Sequence, residues 1–174
     1  MDSKYKNSSY HPHNPYPIPG KQATISAPDT YALFYESLEL EEGDNFLEIG
    51  SGSGYGAALA KEIVGNTGKV TTIEMDDNTF KFAKENLREY DVDLINKDGR
   101  RGYQENAPYD KIAITAATER IPDPLKNQLK ENGKIIAPIG PSQWSQVLTL
   151  YEKRNNNLKS ESLTGVRYVK LRKS

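Results

Sequence analysis

Cysteine is absent from this chain, which removes disulfides, thiolate nucleophiles and Cys-based zinc sites together. Charge of either sign is in no excess: 23 Lys and Arg stand against 24 Asp and Glu, a formal net charge of −1. That balance gives no general pull toward nucleic acid or an anionic membrane. The short basic runs Lys97-Asp98-Gly99-Arg100-Arg101 and Lys170-Leu171-Arg172-Lys173 read as solvated surface. No apolar run approaches the ~20 residues that a bilayer-spanning helix needs, and no signal-peptide pattern opens the sequence. The expectation is a cytoplasmic monomer with neither membrane nor nucleic-acid partners. Histidine is scarce as well. His11 and His13 lie beside prolines, and two ligands in i, i+2 register on an extended segment make a poor metal site; no metal is expected.

What is present fits one domain, since 174 residues are enough for a single substantial core. Residues 1–20, with Pro12, Pro15, Pro17 and Pro19, predict an extended arm ahead of a single domain over 21–174. From Pro28, at a first-turn position, the pattern turns helical. Strand and helix signals then alternate. Strands are expected at Asn45–Ile49, Val70–Met75, Val92–Ile95, Tyr109–Thr115 and Lys134–Pro138, and helices at Gly56–Val64, Asn78–Tyr90 and Asp123–Glu131. Such alternation implies a mostly parallel sheet with helices on both faces. Gln146–Tyr151 and Thr164–Leu171, around the turn-rich Lys153-Arg154-Asn155-Asn156-Asn157, predict a closing antiparallel pair. The fold class is therefore α/β, Rossmann-like.

The most informative stretch is Asp44-Asn45-Phe46-Leu47-Glu48-Ile49-Gly50-Ser51-Gly52-Ser53-Gly54-Tyr55-Gly56. An apolar strand breaks into alternating glycines and opens an Ala-rich helix, the arrangement of a nucleotide-type cofactor site. Glu74, at the end of the next strand, stands where an acid holds ribose hydroxyls. Gly52-Ser53-Gly54-Tyr55-Gly56-Ala57 formally satisfies a dinucleotide pattern. However, Glu48 precedes the turn and no Lys or Arg stands in it to meet a pyrophosphate. Acids suit a ligand carrying an ammonium and a sulfonium, whereas phosphates would be repelled. With Asp98-Gly99 after the third strand, the pattern favours S-adenosylmethionine over a nicotinamide dinucleotide.

Other segments carry a family likeness. Gln22-Ala23-Thr24-Ile25-Ser26-Ala27-Pro28, Val64-Gly65-Asn66-Thr67-Gly68-Lys69-Val70 and Asp98-Gly99-Arg100-Arg101-Gly102-Tyr103 resemble the signature segments of protein-L-isoaspartate O-methyltransferases. Ala107-Pro108-Tyr109-Asp110, Pro138-Ile139-Gly140-Pro141 with Gln146, and Gly165-Val166-Arg167-Tyr168-Val169 continue the match in order. The likeness runs from about residue 14 to residue 171.

The resemblance implies a seven-stranded methyltransferase sheet. It also implies transfer of the methyl of S-adenosylmethionine to the α-carboxylate of isoaspartyl residues in damaged proteins, a repair reaction that leaves S-adenosylhomocysteine. Ser26 would be the active-site serine, and Ala23, Thr24 and Ile25 with it would lie between cofactor and substrate. Gly50, Ser51 and Gly52 would meet the methionine part of the cofactor, Glu74 its ribose, and Met75, Asp98 and Gly99 its adenine; Glu48 is assigned to the cofactor by its place before the turn. Thr115, Ala116 and Ala117 would line the substrate side. The chain departs from the family at Asp29, Thr30 and Tyr31, where histidines are common, and at Trp144, where small residues are. These departures leave two alternatives open: a related methyltransferase acting on RNA or a small molecule, or a non-catalytic S-adenosylmethionine-binding module.

Overall fold

The computed structural model describes residues 16–20, 24–25, 28–141 and 145–171. His11, His13 and Trp144 lie outside them. A short hairpin pairs β1 (Tyr16–Pro17) with β2 (Thr24–Ile25) and is followed by α1 (Pro28–Leu38). Then come β3 (Asn45–Ile49), α2 (Tyr55–Val64), β4 (Lys69–Glu74), α3 (Asp77–Asn86) and β5 (Asp93–Asn96). After two 3-10 turns, β6 (Tyr109–Ile114), α4 (Asp123–Gln128), β7 (Leu129–Ile139), β8 (Gln146–Arg154) and β9 (Asn157–Val166) complete the chain.

One sheet of seven strands runs in the order β5-β4-β3-β6-β7-β8-β9. Strands β5 through β7 are parallel, while β8 and β9 are antiparallel additions. No helix among the described residues is long and apolar enough to cross a membrane.

The central strands are buried on both faces, which is why they read as apolar runs rather than alternating ones. Phe46, Val70, Ala113, Ile136 and Leu148 meet Phe34 and Leu38 of α1 and Ala57, Ala60 and Val64 of α2 on one face. Leu47, Ile49, Ile73, Ile112, Ile114 and Ile135 meet Ile121 and Leu125 on the other. Burying each Phe, Leu, Ile or Val among them contributes roughly 1.5–3 kcal/mol. The helix α3 is capped by Asp76, whose carboxylate accepts from the Asn78 and Thr79 N–H groups, an interaction worth about 1 kcal/mol.

Strand order reverses at β3, whose neighbours are β4 on one side and β6 on the other. A crevice outside the carboxyl ends of strands at such a switch point is where open α/β sheets hold ligands.

Several boundaries differ from the sequence reading, among them the start of β7 at Leu129 rather than Lys134 and the end of β8 at Arg154 rather than Tyr151. The helix expected over Asp123–Glu131 stops at Gln128, because Leu129 joins the sheet opposite Tyr109. Gly133 lies so close to the Asp110 carbonyl that a Cβ there would sit 2.9 Å away, so tertiary packing overrides the helical preference of this segment. The last strand is Asn157–Val166 rather than Thr164–Leu171. Asn155 and Asn156 have φ of 52° and 62°, the left-handed pair of a two-residue hairpin turn, and pairing resumes at once between Arg154 and Asn157. Helix α3 ends at Asn86, short of Tyr90, where Leu87 closes it.

Candidate active site

The chain leaves β3 through a turn that side chains would obstruct. Gly50 has φ of 98°, and a Cβ there would stand 2.5 Å from the Thr115 Oγ1. That hydroxyl belongs to the residue after β6 and reaches the Ile49 and Gly50 carbonyls at 3.0 and 2.8 Å. From the other side, the Gly50 and Ser51 N–H groups donate to the Ile73 carbonyl of β4. The Asn86 amide of α3 donates to the Ser53 carbonyl at 2.8 Å. The glycine turn is thus held by β4, β6 and α3 at the switch point.

Glu74 ends β4 beside this turn. Its Oε1 accepts the Met75 and Asp76 N–H groups, each at 2.9 Å, and its Oε2 accepts the Gly52 N–H at 3.3 Å. Met75 next to it is half-buried.

Asp98 ends the loop after β5 and accepts from the backbone N–H and guanidinium of Arg100. Gly99 is buried against the end of β3: a Cβ there would stand 2.5 Å from Ile49 Cγ2. The expected residues Gly50, Ser51, Gly52, Glu74, Met75, Asp98 and Gly99 therefore gather at the carboxyl ends of three adjacent strands.

Glu48 is placed elsewhere. It lies inside the sheet, 1% exposed, where the Thr72 hydroxyl of β4 donates to it at 2.6 Å. A Cβ on Gly56 would stand 2.2 Å from its Oε1 and 2.6 Å from the Tyr31 ring. Burial pushes its carboxyl up to about 8, with the Glu74 charge adding to the rise and the Thr72 hydrogen bond opposing it. At neutral pH Glu48 is therefore mainly protonated, and it faces Thr72, Gly56 and the tyrosines. Tyr35 donates to the Gly56 carbonyl at 2.7 Å, and Tyr31 packs edge-on to Tyr55 with ring centroids 5.4 Å apart. Tyr31 fills the space over the start of α2.

On the β6 side, Thr115 clamps the glycine turn. Ala116 and Ala117 are 8% and 2% exposed. Ala117 N–H donates to the Val169 carbonyl and its own carbonyl accepts from Leu171 N–H, at 2.7 and 2.8 Å, so the C-terminal segment crosses the sheet edge here. Ala23 and Ser26 lie outside the described residues. Thr24 and Ile25 form β2, and α1 begins two residues after Ser26.

Whether S-adenosylmethionine suits this edge can be judged from the residues themselves. The Ser51 Oγ is buried and has no hydrogen-bond partner among the described residues, in a molecule where buried polar groups are as a rule paired. An orphaned hydroxyl in a glycine cradle, with Glu74 bonded to the next residue, suits a ligand that carries amino, hydroxyl and sulfonium groups.

The model of the protein-L-isoaspartate(D-aspartate) O-methyltransferase family matches residues 1–174. The chain belongs to this family. It is 43% identical over 171 residues to the protein-L-isoaspartate O-methyltransferase of Methanococcus vannielii, covering 97% of this chain and 80% of that one. A solved structure of a protein-L-isoaspartate O-methyltransferase is 32% identical with a TM-score of 0.83, over 89% of this chain and 50% of that one. Another, of a protein-L-isoaspartate O-methyltransferase from Plasmodium falciparum in complex with S-adenosyl-L-homocysteine, is 27% identical with a TM-score of 0.85, over 97% of this chain and 84% of that one. The family likeness and the sheet expected from the sequence agree with the observed topology.

Several contributors escaped the sequence reading. Thr72 and Asn86 touch the site region only through tertiary contacts, and no local pattern marks Asn86. The pair Thr71-Thr72 inside an apolar strand was a usable signal, since a buried hydroxyl needs a partner.

Proposed function

We propose that this chain is an S-adenosylmethionine-dependent methyltransferase that esterifies the α-carboxylate of isoaspartyl residues in proteins. The observation that carries the reading is the glycine turn at the switch point, with Glu74 bonded to Gly52 and Ser51 left with an unused hydroxyl, in a chain that matches the family over its whole length. When bound, S-adenosylmethionine supplies a methyl group on a sulfonium centre.

The chain's own residues divide the remaining work. Gly50, Ser51 and Gly52 would cradle the methionine part, Glu74 would take the ribose hydroxyls, and Met75, Asp98 and Gly99 would flank the adenine. A substrate carboxylate has a pKa near ~4 and is already ionised at neutral pH, so no general base is required. What the protein must do is hold that carboxylate in line, and orientation of this kind is worth about 7–11 kcal/mol. Ser26, reached through β2, is assigned the carboxylate-orienting hydrogen bond, and Thr115, Ala116 and Ala117 the wall beside the peptide. A net charge of −1 is consistent with a peptide rather than a polyanion as partner.

The test uses labelled S-adenosylmethionine, an isoaspartyl peptide and Ser26→Ala. Turnover is expected to fall at least about tenfold while the Kd for S-adenosylhomocysteine stays within about threefold, a pattern of interactions made mainly in the transition state. Unchanged turnover would remove Ser26 from the machinery. No transfer by the wild type, with S-adenosylhomocysteine still bound, would leave a methyltransferase with a different substrate.

A further inference from the structure

We infer that Thr79 and Gly20 form a latch that holds the β1–β2 hairpin on α3 and so positions the segment entering Ser26 for methyl transfer. Thr79 is 1% exposed and sits in the first turn of α3. The helix does not need its hydroxyl. Asp76 already caps α3 by accepting the Asn78 and Thr79 N–H groups at 3.1 Å each. The Thr79 hydroxyl reaches instead to the Pro19 carbonyl at 3.0 Å, with Asp76 Oδ1 slightly farther at 3.2 Å.

Gly20, next in the chain, has φ of 132°, and a Cβ there would stand 2.0 Å from the Thr79 Oγ1. Only glycine fits this backbone and this contact. Ile18, two residues before Gly20, is 7% exposed. The Thr79 hydroxyl therefore ties Pro19 and Gly20 to the start of α3 through one hydrogen bond and one close approach.

The place matters for the reaction. Asp76 N–H donates to Glu74 Oε1 at 2.9 Å, so the latch stands on the same short turn that carries the acid assigned to the ribose. On its far side the hairpin runs through Thr24 and Ile25 directly into Ser26. Thr79 and Gly20 are thus positioning residues, acting on Ser26 through the hairpin while touching neither ligand. This inference rests on the methyl-transfer reading above.

The test compares Thr79→Val, Thr79→Ser and Gly20→Ala in the full chain. It measures kcat and KM on an isoaspartyl peptide, the Kd of S-adenosylhomocysteine, and the rate of tryptic cleavage after Lys21, the residue that follows Gly20 in the sequence. Losing one buried hydrogen bond predicts a fall in kcat/KM of about tenfold for Thr79→Val. The S-adenosylhomocysteine Kd should move less than about threefold, and cleavage after Lys21 should accelerate. Thr79→Ser keeps the hydroxyl and should restore kcat/KM to within about twofold, a rescue that a purely packing role would not give. Gly20→Ala, made from the exposed side of the contact, should reproduce the valine result and decides the matter if Thr79→Val fails to fold.

Wild-type kcat/KM in Thr79→Val, no rescue by serine, or an equal loss of S-adenosylhomocysteine affinity would overturn the latch. If the wild type methylates no isoaspartyl peptide, the functional reading fails separately. The tryptic rate then still judges the latch: faster cleavage in both disrupting variants supports it and unchanged cleavage overturns it.

Discussion

Glu48 and Glu74 are the same residue type on neighbouring parallel strands, yet the fold makes them opposite instruments. Glu48 lies one residue inside the last in-register pair of β3 and β4, Ile49 with Ile73, and Glu74 one residue beyond it. Two residues along a strand are about 7 Å. That short step carries a carboxyl from an interior site, pushed up to about 8 and facing Thr72, to the sheet edge, where backbone N–H groups of the glycine turn and the α3 approach hold it. Acids near a glycine turn do not share one environment: position against the end of the sheet buries one beside Thr72 and sets the other among the backbone N–H groups of the turn.

The largest effect should come from removing the edge acid. Glu74→Ala deletes a charged partner of about 1.5–3 kcal/mol, so calorimetry should show S-adenosylhomocysteine binding roughly 10- to 100-fold weaker. An unchanged Kd would erase the contrast between the two acids.

Gly56→Ala attacks the interior acid by crowding it. The new methyl would overlap the Glu48 Oε1 and the Tyr31 ring, and overpacking of this kind costs about 1–3 kcal/mol in denaturant unfolding. A neutral result would show that Glu48 and Tyr31 have room to retreat.

The subtlest test is pH. Glu48 is raised from 4.5 to about 8 in the folded chain, so between those values the native state holds the proton more tightly than the unfolded one. Its contribution is complete below the lower value and fades as pH rises through the upper, at up to about 1.4 kcal/mol per pH unit. Glu48→Gln cannot ionise. It should flatten this part of the stability profile and gain on the wild type as pH rises from 5 to 8, with S-adenosylhomocysteine affinity within about threefold. An unaltered slope would mean that Glu48 is ionised in the interior or does not report there.

How much of this could be read beforehand depended on what each element packs against. Strands β3, β4 and β6 were legible because burial on both faces leaves apolar runs bounded by turn residues. That Gly50, Gly52 and Glu74 meet at the strand ends was legible because turn, strand end and helix start follow one another in the chain. The boundary at Gln128 and the start of β9 were not, since Leu129 opposite Tyr109 and the Asn155-Asn156 turn are settled by pairing with distant residues. The split between Glu48 and Glu74 was illegible for the same reason: it depends on the β3–β4 register, which neither strand encodes alone. The expectation for Ser26 came from family likeness, and its test is kinetic.

The most direct test is methyl transfer from labelled S-adenosylmethionine to one peptide prepared in matched isoaspartyl and aspartyl forms. Label on the isoaspartyl form alone is the predicted result. Equal label on both forms, or label on neither while S-adenosylhomocysteine still binds, would contradict the proposed activity and leave only the cofactor edge standing.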